Sequence, residues 1–89
     1  MSLSNEVLLK FPQDFPIKII GKVNWQFQQV IVKIIQEFDS EFDDSRVQSR
    51  FSKKSNYICL TVTVHITSRV QLDDLYCVLT GHPMVKIVL

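Results

Sequence analysis

The polar side chains best suited to chemistry concentrate on one predicted strand. From Tyr57 to Ile66, apolar and polar residues alternate with a strict period of two. This period places one set of side chains in the core and the other on the opposite side of a sheet. The outward set is Tyr57, Cys59, Thr61, Thr63 and His65. Because hydroxyl and imidazole groups donate or accept hydrogen bonds, this set could orient a polar ligand.

Cations on three other predicted strands share this outward side. Alternation places there Lys18 and Ile20 from a first strand, Arg46, Gln48 and Arg50 from a second, and Lys86 and Val88 from a last. We expect a small anionic ligand or an acidic protein to bind this side, because the planar guanidinium group of arginine matches carboxylate and phosphate. The candidate face consists of Lys18, Arg46, Arg50, Thr61, Thr63, His65 and Lys86. The alternative is a solvated face whose charges protect an edge strand from aggregation.

The remaining reactive residues lack the spacing that catalysis or metal binding requires. His65, His82, Cys59 and Cys77 do not follow a metal-ligand pattern. His82 precedes Pro83, so it is predicted to shape the turn into the last strand, near a helix end that favours imidazolium. No phosphate-binding loop, nucleophile elbow or zinc-protease motif occurs. We predict no catalytic residue, metal or cofactor, and an unrecognised enzyme remains an alternative.

Two other binding functions are disfavoured by residue pattern. The acidic residues of the loop after the first helix lack the glycine and the final glutamate of a calcium-binding EF-hand, so we predict a solvated loop. They are Glu37, Asp39, Glu41, Asp43 and Asp44. Stacking of RNA bases on a sheet needs two or three aromatic residues on the central strands. Only Tyr57 qualifies, so RNA binding is disfavoured, and we keep it as the alternative to a regulatory or adaptor function.

Length and charge restrict the class of protein further. The chain has 89 residues, enough for one domain, and ten basic against nine acidic residues give a net charge of +1. That balance provides no general attraction to nucleic acid or anionic membrane. No apolar run is long enough to span a bilayer, and the N-terminal residues lack the pattern of a secretory signal. Two cysteines are too few for a disulfide scaffold, so we expect free thiols and a cytoplasmic protein.

Periodicity and turn residues define six predicted elements. The first is a strand over 15–20 with Pro16 at its start, and it is followed by a helix over 24–38 capped by Asn24. Two strands over 46–51 and 57–66, joined by a turn at 53–56, come next. The second helix runs from the Ser68–Gln71 capping box to Gly81 at C′, and a strand over 84–89 ends the order. The apolar stripe of the first helix is Phe27, Val30, Ile31, Ile34, Ile35 and Phe38, and that of the second is Leu72, Leu75, Tyr76 and Leu79.

This order predicts an α+β, ferredoxin-like βαββαβ domain over residues 13–89, preceded by an N-terminal arm over residues 1–12. Each helix has one apolar stripe, so both should cover the same face of a four-stranded antiparallel sheet. The predicted core is Ile17, Ile19, Ile31, Ile34, Leu60, Val62, Leu75, Leu79, Val85 and Ile87. Trp25 is predicted to point away from the core near Val32, either under the arm against Leu8 or Leu9 or as an exposed contact.

Three stretches of the chain carry a family resemblance. The first is Phe11-Pro12-x-x-Phe15-x-Ile17-Lys18-x-x-Gly21, the second is Ser55-Asn56-Tyr57-x-x-x-Thr61-Val62, and the third is Leu75-Tyr76-x-x-Leu79-x-x-His82-Pro83-x-Val85-Lys86-x-Val88-Leu89. Together they resemble the YbeD-like family of small bacterial proteins of unknown function, with the third stretch the most specific.

The resemblance implies a ferredoxin-like sheet similar to ACT regulatory domains and no established enzyme activity. ACT-like domains associate through sheet edges or faces, so it also implies that self-association, giving a homo-oligomer, is open to this chain. With the residue pattern, it leads us to expect a small non-catalytic regulatory or adaptor protein that binds a ligand or a protein through its sheet.

Overall fold

The computed structural model describes residues 11–54 and 56–89. Along the chain it contains β1 (Gln13–Lys22), α1 (Phe27–Gln36), a 3₁₀ turn (Asp44–Arg46), β2 (Val47–Phe51), β3 (Tyr57–Ile66), α2 (Arg69–Thr80) and β4 (Val85–Val88). The four strands form one antiparallel sheet in the order β2-β3-β1-β4. The predicted ferredoxin-like α+β fold is therefore confirmed.

Strand β3 follows its predicted bounds and facing. Its buried residues alternate with the outward set, and Leu60, Val62, Val64 and Ile66 are fully buried. β3 pairs with β1 along the whole length of both strands, from Gln13 opposite Ile66 to Lys22 opposite Tyr57. These two central strands fix which side chains share a face across the sheet.

The position of Pro16 differs from the prediction. The sequence predicts Pro16 at the start of the first strand, but the structure has it inside β1, which begins at Gln13. The backbone of Lys18 exchanges two hydrogen bonds with Leu89, so the N–H groups of even-numbered β1 residues point toward β4. Pro16 is opposite Thr63 of β3, on a stretch of β1 where the described pairing with β4 has already ended. The N–H that proline lacks would find no strand partner there, so the residue is tolerated within the strand.

Helix α1 begins later than predicted. The Asn24 side chain accepts a hydrogen bond from the Gln26 amide at 2.8 Å, and its carbonyl accepts one from the Phe27 amide at 2.9 Å. Asn24 therefore closes a turn before the helix, whose N-cap residue is Gln26. Val32, predicted to lie away from the core, is buried. Trp25 precedes the helix and is 81% exposed, while the predicted arm with Leu8 and Leu9 lies largely outside the described residues.

Helix α2 begins at the predicted capping box. The Gln71 amide donates to the Ser68 hydroxyl at 3.1 Å, and the Gln71 side-chain oxygen accepts from the Thr67 amide at 2.8 Å. Gly81 is the C-cap rather than C′, and its φ of −83° is an ordinary right-handed conformation. The apolar stripe is confirmed, with Tyr76 half-buried and the three leucines buried.

Most of the predicted core is confirmed. Ile17, Ile19, Ile31, Leu60, Val62, Leu75 and Leu79 are buried, and Ile34 and Val85 are partly buried against them. Ile87 is 51% exposed and is a wrong assignment. Phe42, which the sequence placed in a solvated acidic loop, is 1% exposed and belongs to the core.

A bulge in β4 explains the error at Ile87. Ile20 is opposite Ile87, but the next β1 residue, Gly21, is opposite Val85, so Lys86 is an extra residue in β4. An extra residue shifts the alternation of the strand that carries it. As a result Val88, predicted to face outward, is opposite the buried Ile19 and packs against the core.

Candidate functional site

One side of the sheet carries no helix, and we call this side the open face. Its described side chains are Asp14, Pro16, Lys18, Ile20, Lys22, Gln48, Arg50, Tyr57, Cys59, Thr61, Thr63, His65, Lys86, Ile87 and Leu89, as strand register and exposure place them. Directly opposed residues on neighbouring strands share a face. Gln48, Thr61 and Lys18 therefore form one cross-strand row, and Arg50, Cys59, Ile20 and Ile87 form the next.

The structure brings three of the predicted binding residues together in a shallow depression on the open face. Lys18, Arg50 and Thr61 line it, together with Gln48, Ser49 and Cys59. We call it the anion depression. Lys18 and Arg50 are two strands and one row apart, about 12 Å between Cα atoms from ideal sheet spacings. Both side chains are long enough to reach a group bound between them.

The cations of the open face lack acidic partners among the described residues. The ion pairs within 4.0 Å in this part of the chain are Arg46–Asp39 and Arg69–Asp73, and the Asp14 carboxylate lies within 4.0 Å of the His65 ring. Lys18, Arg50 and Lys86 belong to none of them. Their charges are available to an external anion.

Lys86 lies on the open face but apart from the anion depression. It lines a second, mostly apolar depression with Ile20, Tyr57 and Ile87. Leu89 extends the apolar surface, since its backbone bonds place it beside Lys18 and it is 63% exposed. We call Ile20, Tyr57, Ile87 and Leu89 the apolar strip.

Arg46 is not a strand residue, contrary to the sequence prediction. It ends the 3₁₀ turn Asp44–Arg46, and its guanidinium donates to Asp39 Oδ2 at 3.3 Å. The turn forms because Asp43 caps it, accepting hydrogen bonds from the amide and hydroxyl of Ser45. These bonds, with a smaller contribution from the Arg46 charge, hold the pKa of Asp43 below its ordinary value of 3.8. Arg46 therefore forms an internal ion pair with Asp39, and it also lines a cleft with Gln48 and Thr63 of the open face.

Asp39 explains why the acidic loop is ordered against the sheet. Its side chain is 8% exposed and accepts hydrogen bonds from the amides of His65 and Glu41 at 3.1 and 3.2 Å, besides that from Arg46. The His65 N–H points toward the β2 side of β3, but β2 begins at Val47, opposite Val62. The Asp39 carboxylate therefore replaces the missing strand partner of His65.

His65 lies away from the anion depression, toward the end of β3, whereas Thr63 adjoins the depression one row beyond Thr61. The His65 Nδ1 is 3.0 Å from Asp14 Oδ1, its cross-strand partner. His65 lines a cleft with Arg46 and Thr67, whereas Thr63 lines another with Arg46, Gln48 and Thr61. The seven predicted residues thus line several adjoining depressions on the sheet.

Sequence reasoning missed two carboxylates that matter to these groups. Asp14 was overlooked because the predicted first strand began at residue 15, whereas β1 begins at Gln13. Asp39 was assigned to a solvated loop with its acidic neighbours. The apolar Phe42 inside that acidic stretch was the available signal that the loop folds back on the core.

The remaining histidine forms a hydrogen bond within a turn, and the two cysteines are not joined by a disulfide. His82 Nδ1 accepts a hydrogen bond from the Met84 amide at 3.1 Å, which shapes the turn into β4 as predicted. Cys59 and Cys77 are free thiols, as predicted.

No group of three or more histidine, cysteine or acidic side chains in residues 11–54 and 56–89 could hold a metal ion. Over the same residues, each helix is too short or too polar to cross a membrane.

Comparisons with known proteins agree on one group of small bacterial proteins. The family model described as "Protein of unknown function (DUF493)" matches residues 6–89. A UPF0250 protein of Paraburkholderia phytofirmans is 58% identical over 89 residues, covering all of both chains. UPF0250 proteins of Ralstonia nicotianae and Nitrosomonas europaea are 52% and 42% identical, over 94% and 98% of this chain and 87% and 100% of theirs.

Proposed function

Since this chain belongs to the DUF493 family, whose description attaches no activity to it, we propose its function from the geometry of the open face. The protein is a small, non-catalytic regulatory or adaptor module that binds an anionic ligand or an acidic partner protein. Its working surface is the open face, and the anion depression is the point of strongest attraction.

The observation that carries this proposal is the pair of unpartnered cations in one depression. Lys18 and Arg50 flank Thr61 and Gln48, and neither cation is paired with a carboxylate within the described residues. A planar guanidinium binds carboxylate or phosphate through two parallel hydrogen bonds, and a lysine adds a point charge. The Thr61 hydroxyl and the Gln48 amide supply orienting hydrogen bonds.

A binding role is favoured over catalysis by the separation of the reactive groups. Cys59 and His65 are six residues apart on β3, about 20 Å from strand geometry. The ring of His65 is held by Asp14, and no hydroxyl or thiol in the described part of the chain is hydrogen-bonded to it. General base catalysis needs such a partner within reach. The free thiols of Cys59 and Cys77 fit a protein of the reducing cytoplasm.

Binding to defined anions tests the proposal directly. The ¹⁵N-labelled protein is titrated with citrate and with inorganic phosphate, against chloride at equal ionic strength, and amide shifts are recorded. We expect saturable shifts at Lys18, Arg50 and Thr61. The Lys18→Glu/Arg50→Glu variant, shown by circular dichroism to be folded, should lose these shifts and any partner captured from native extract.

The matched control is Lys33→Glu/Arg69→Glu, which changes net charge equally at exposed positions of α1 and α2. It should retain the titration response and the captured partners. If the folded open-face variant keeps every partner and every shift, the open face is only a solvated surface and the proposal is wrong.

A further inference from the structure

We propose that the occupant of the open face is an acidic segment of a partner protein that also carries apolar side chains, rather than a small anion or a second copy of this chain. This inference rests on the proposed function and identifies the class of partner. It follows from the juxtaposition of the apolar strip with four surrounding cations.

The apolar strip is exposed although it lies on a folded sheet. Ile87 and Leu89 are 51% and 63% exposed, and Tyr57 is 40% exposed. Ile20 is half-buried and links them, because it lies directly opposite Ile87 and lines the same depression as Tyr57. A contiguous apolar patch with a polar rim is typical of a surface that contacts another macromolecule.

Cations surround the apolar strip on the open face. Lys18 and Lys22 adjoin Ile20 two residues away along β1, Lys86 is the bulge residue beside Ile87, and Arg50 lies across Cys59 in the same row as Ile20. The one side-chain carboxylate among the described open-face residues is Asp14, which lies 3.0 Å from the His65 ring and is about 20 Å from Ile20 along β1. The charge complement of this surface is acidic.

The spacing of the cations favours a protein segment over a small anion. Lys18 and Arg50 share the anion depression, whereas Lys86 lines the second depression on the far side of Ile20. The two depressions together extend from Arg50 on β2 to Lys86 on β4, across all four strands of the sheet. One small ligand cannot contact both of them and also cover the apolar strip, most of which lines the second depression. A segment with several carboxylates and intervening apolar side chains matches both features.

The same charges disfavour the other macromolecular occupants. Two copies of the open face brought together around a two-fold axis would place like charges opposite each other, which costs free energy. RNA would satisfy the cations, but base stacking needs a platform of aromatic rings. Tyr57 is the one aromatic residue among the described open-face positions.

Three short synthetic peptides test the inference. One alternates glutamate and leucine, one glutamate and serine, and one lysine and leucine. Each is titrated into the ¹⁵N-labelled protein, and dissociation constants are taken from amide shifts. We expect the glutamate–leucine peptide to bind at least about fivefold more tightly than the glutamate–serine peptide, since burying about half of one large apolar side chain accounts for that factor.

The diagnostic variant is Ile87→Ser. It should weaken binding of the glutamate–leucine peptide about five- to tenfold and change binding of the glutamate–serine peptide by less than about twofold. The matched control is Val70→Ser, at a 69% exposed apolar position on α2 on the other side of the sheet. It should leave both affinities within about twofold of the original.

The outcomes separate this inference from the proposed function. If glutamate–serine binds at Lys18 and Arg50 but leucine adds no affinity, the proposed function stands and the protein-segment inference is wrong. If neither acidic peptide shifts Lys18 or Arg50, both are wrong. The inference is also overturned if the lysine–leucine peptide or an oligouridylate binds the strip more tightly, or if sedimentation shows a dimer that Ile87→Ser dissociates.

Discussion

Truncation of Asp39 should destabilise the protein far more than loss of an ordinary acidic surface residue. Asp39 is 9% exposed and holds the loop to the β3 edge through the His65 amide at 3.1 Å. It also accepts bonds from Glu41 and Arg46. Asp39→Ala removes the acceptor for all three donors at once.

The magnitude follows from what happens to each donor. A buried donor left without a partner costs about 1–3 kcal/mol, and a hydrogen bond to a charged group contributes about 1.5–3 kcal/mol. Glu41 and Arg46 are exposed residues, so water can replace their lost partner. A partly exposed ion pair contributes at most about 1 kcal/mol. The part-buried His65 amide therefore dominates, and we expect Asp39→Ala to lower the free energy of unfolding by about 1–3 kcal/mol.

Urea unfolding followed by circular dichroism measures this loss. Arg46→Ala should cost less than about 1 kcal/mol, since it removes only the ion pair. Asp73→Ala is the control, because Asp73 is exposed and pairs only with Arg69 along α2 at 3.5 Å. It should cost less than about 0.5 kcal/mol. A loss below about 0.5 kcal/mol for Asp39→Ala would refute the assignment of Asp39 as the substitute strand partner.

Three further predictions address the core, the sheet and the 3₁₀ turn. Leu60→Ala should lower the free energy of unfolding by about 2–5 kcal/mol, and an effect within about 0.5 kcal/mol would contradict the facing of β3. Gly21→Ala should lower the free energy of unfolding by about 1–3 kcal/mol in the same assay, because a Cβ there would collide with the Met84 carbonyl and lie 2.7 Å from the Phe27 ring. An unchanged stability would contradict that packing. Since folding lowers the pKa of Asp43, its contribution to stability is present above the unfolded pKa and is lost as the pH falls through the lower folded value. Removing the Ser45 hydroxyl should raise the Asp43 pKa in a carboxyl NMR titration, and an unchanged midpoint would contradict the assigned cause.

The fold was predictable because the strongest patterns coincide with the central elements. β3 alternates without interruption, and the Ser68–Gln71 box marks the start of α2, so both were placed correctly. Ile87 and Val88 of β4 were predicted with the wrong facing because a single bulge residue, Lys86, reverses the alternation after it, and a short strand shows no sign of this in its sequence. The alternation within one strand cannot show which residue is extra, because a bulge is defined only by comparison with the partner strand.

The candidate site was only partly predictable for a related reason. Lys18, Arg50 and Thr61 were grouped correctly because they lie on regular strands with fixed cross-strand partners. Arg46 was misplaced because the Asp43–Ser45 cap starts a 3₁₀ turn where alternation suggested a strand. The burial of Asp39 depends on contacts between distant parts of the chain, and local pattern carries no information about those contacts.

The most direct test of the open face as the working surface is an NMR spectrum of the ¹⁵N-labelled protein in unlabelled native extract. We predict selective loss of amide signal at Lys18, Arg50, Thr61 and Ile87. Added salt should restore these signals, because it screens charge attraction at an exposed surface. Signal loss centred on α1 or α2, or a spectrum unchanged by the extract, would contradict the account.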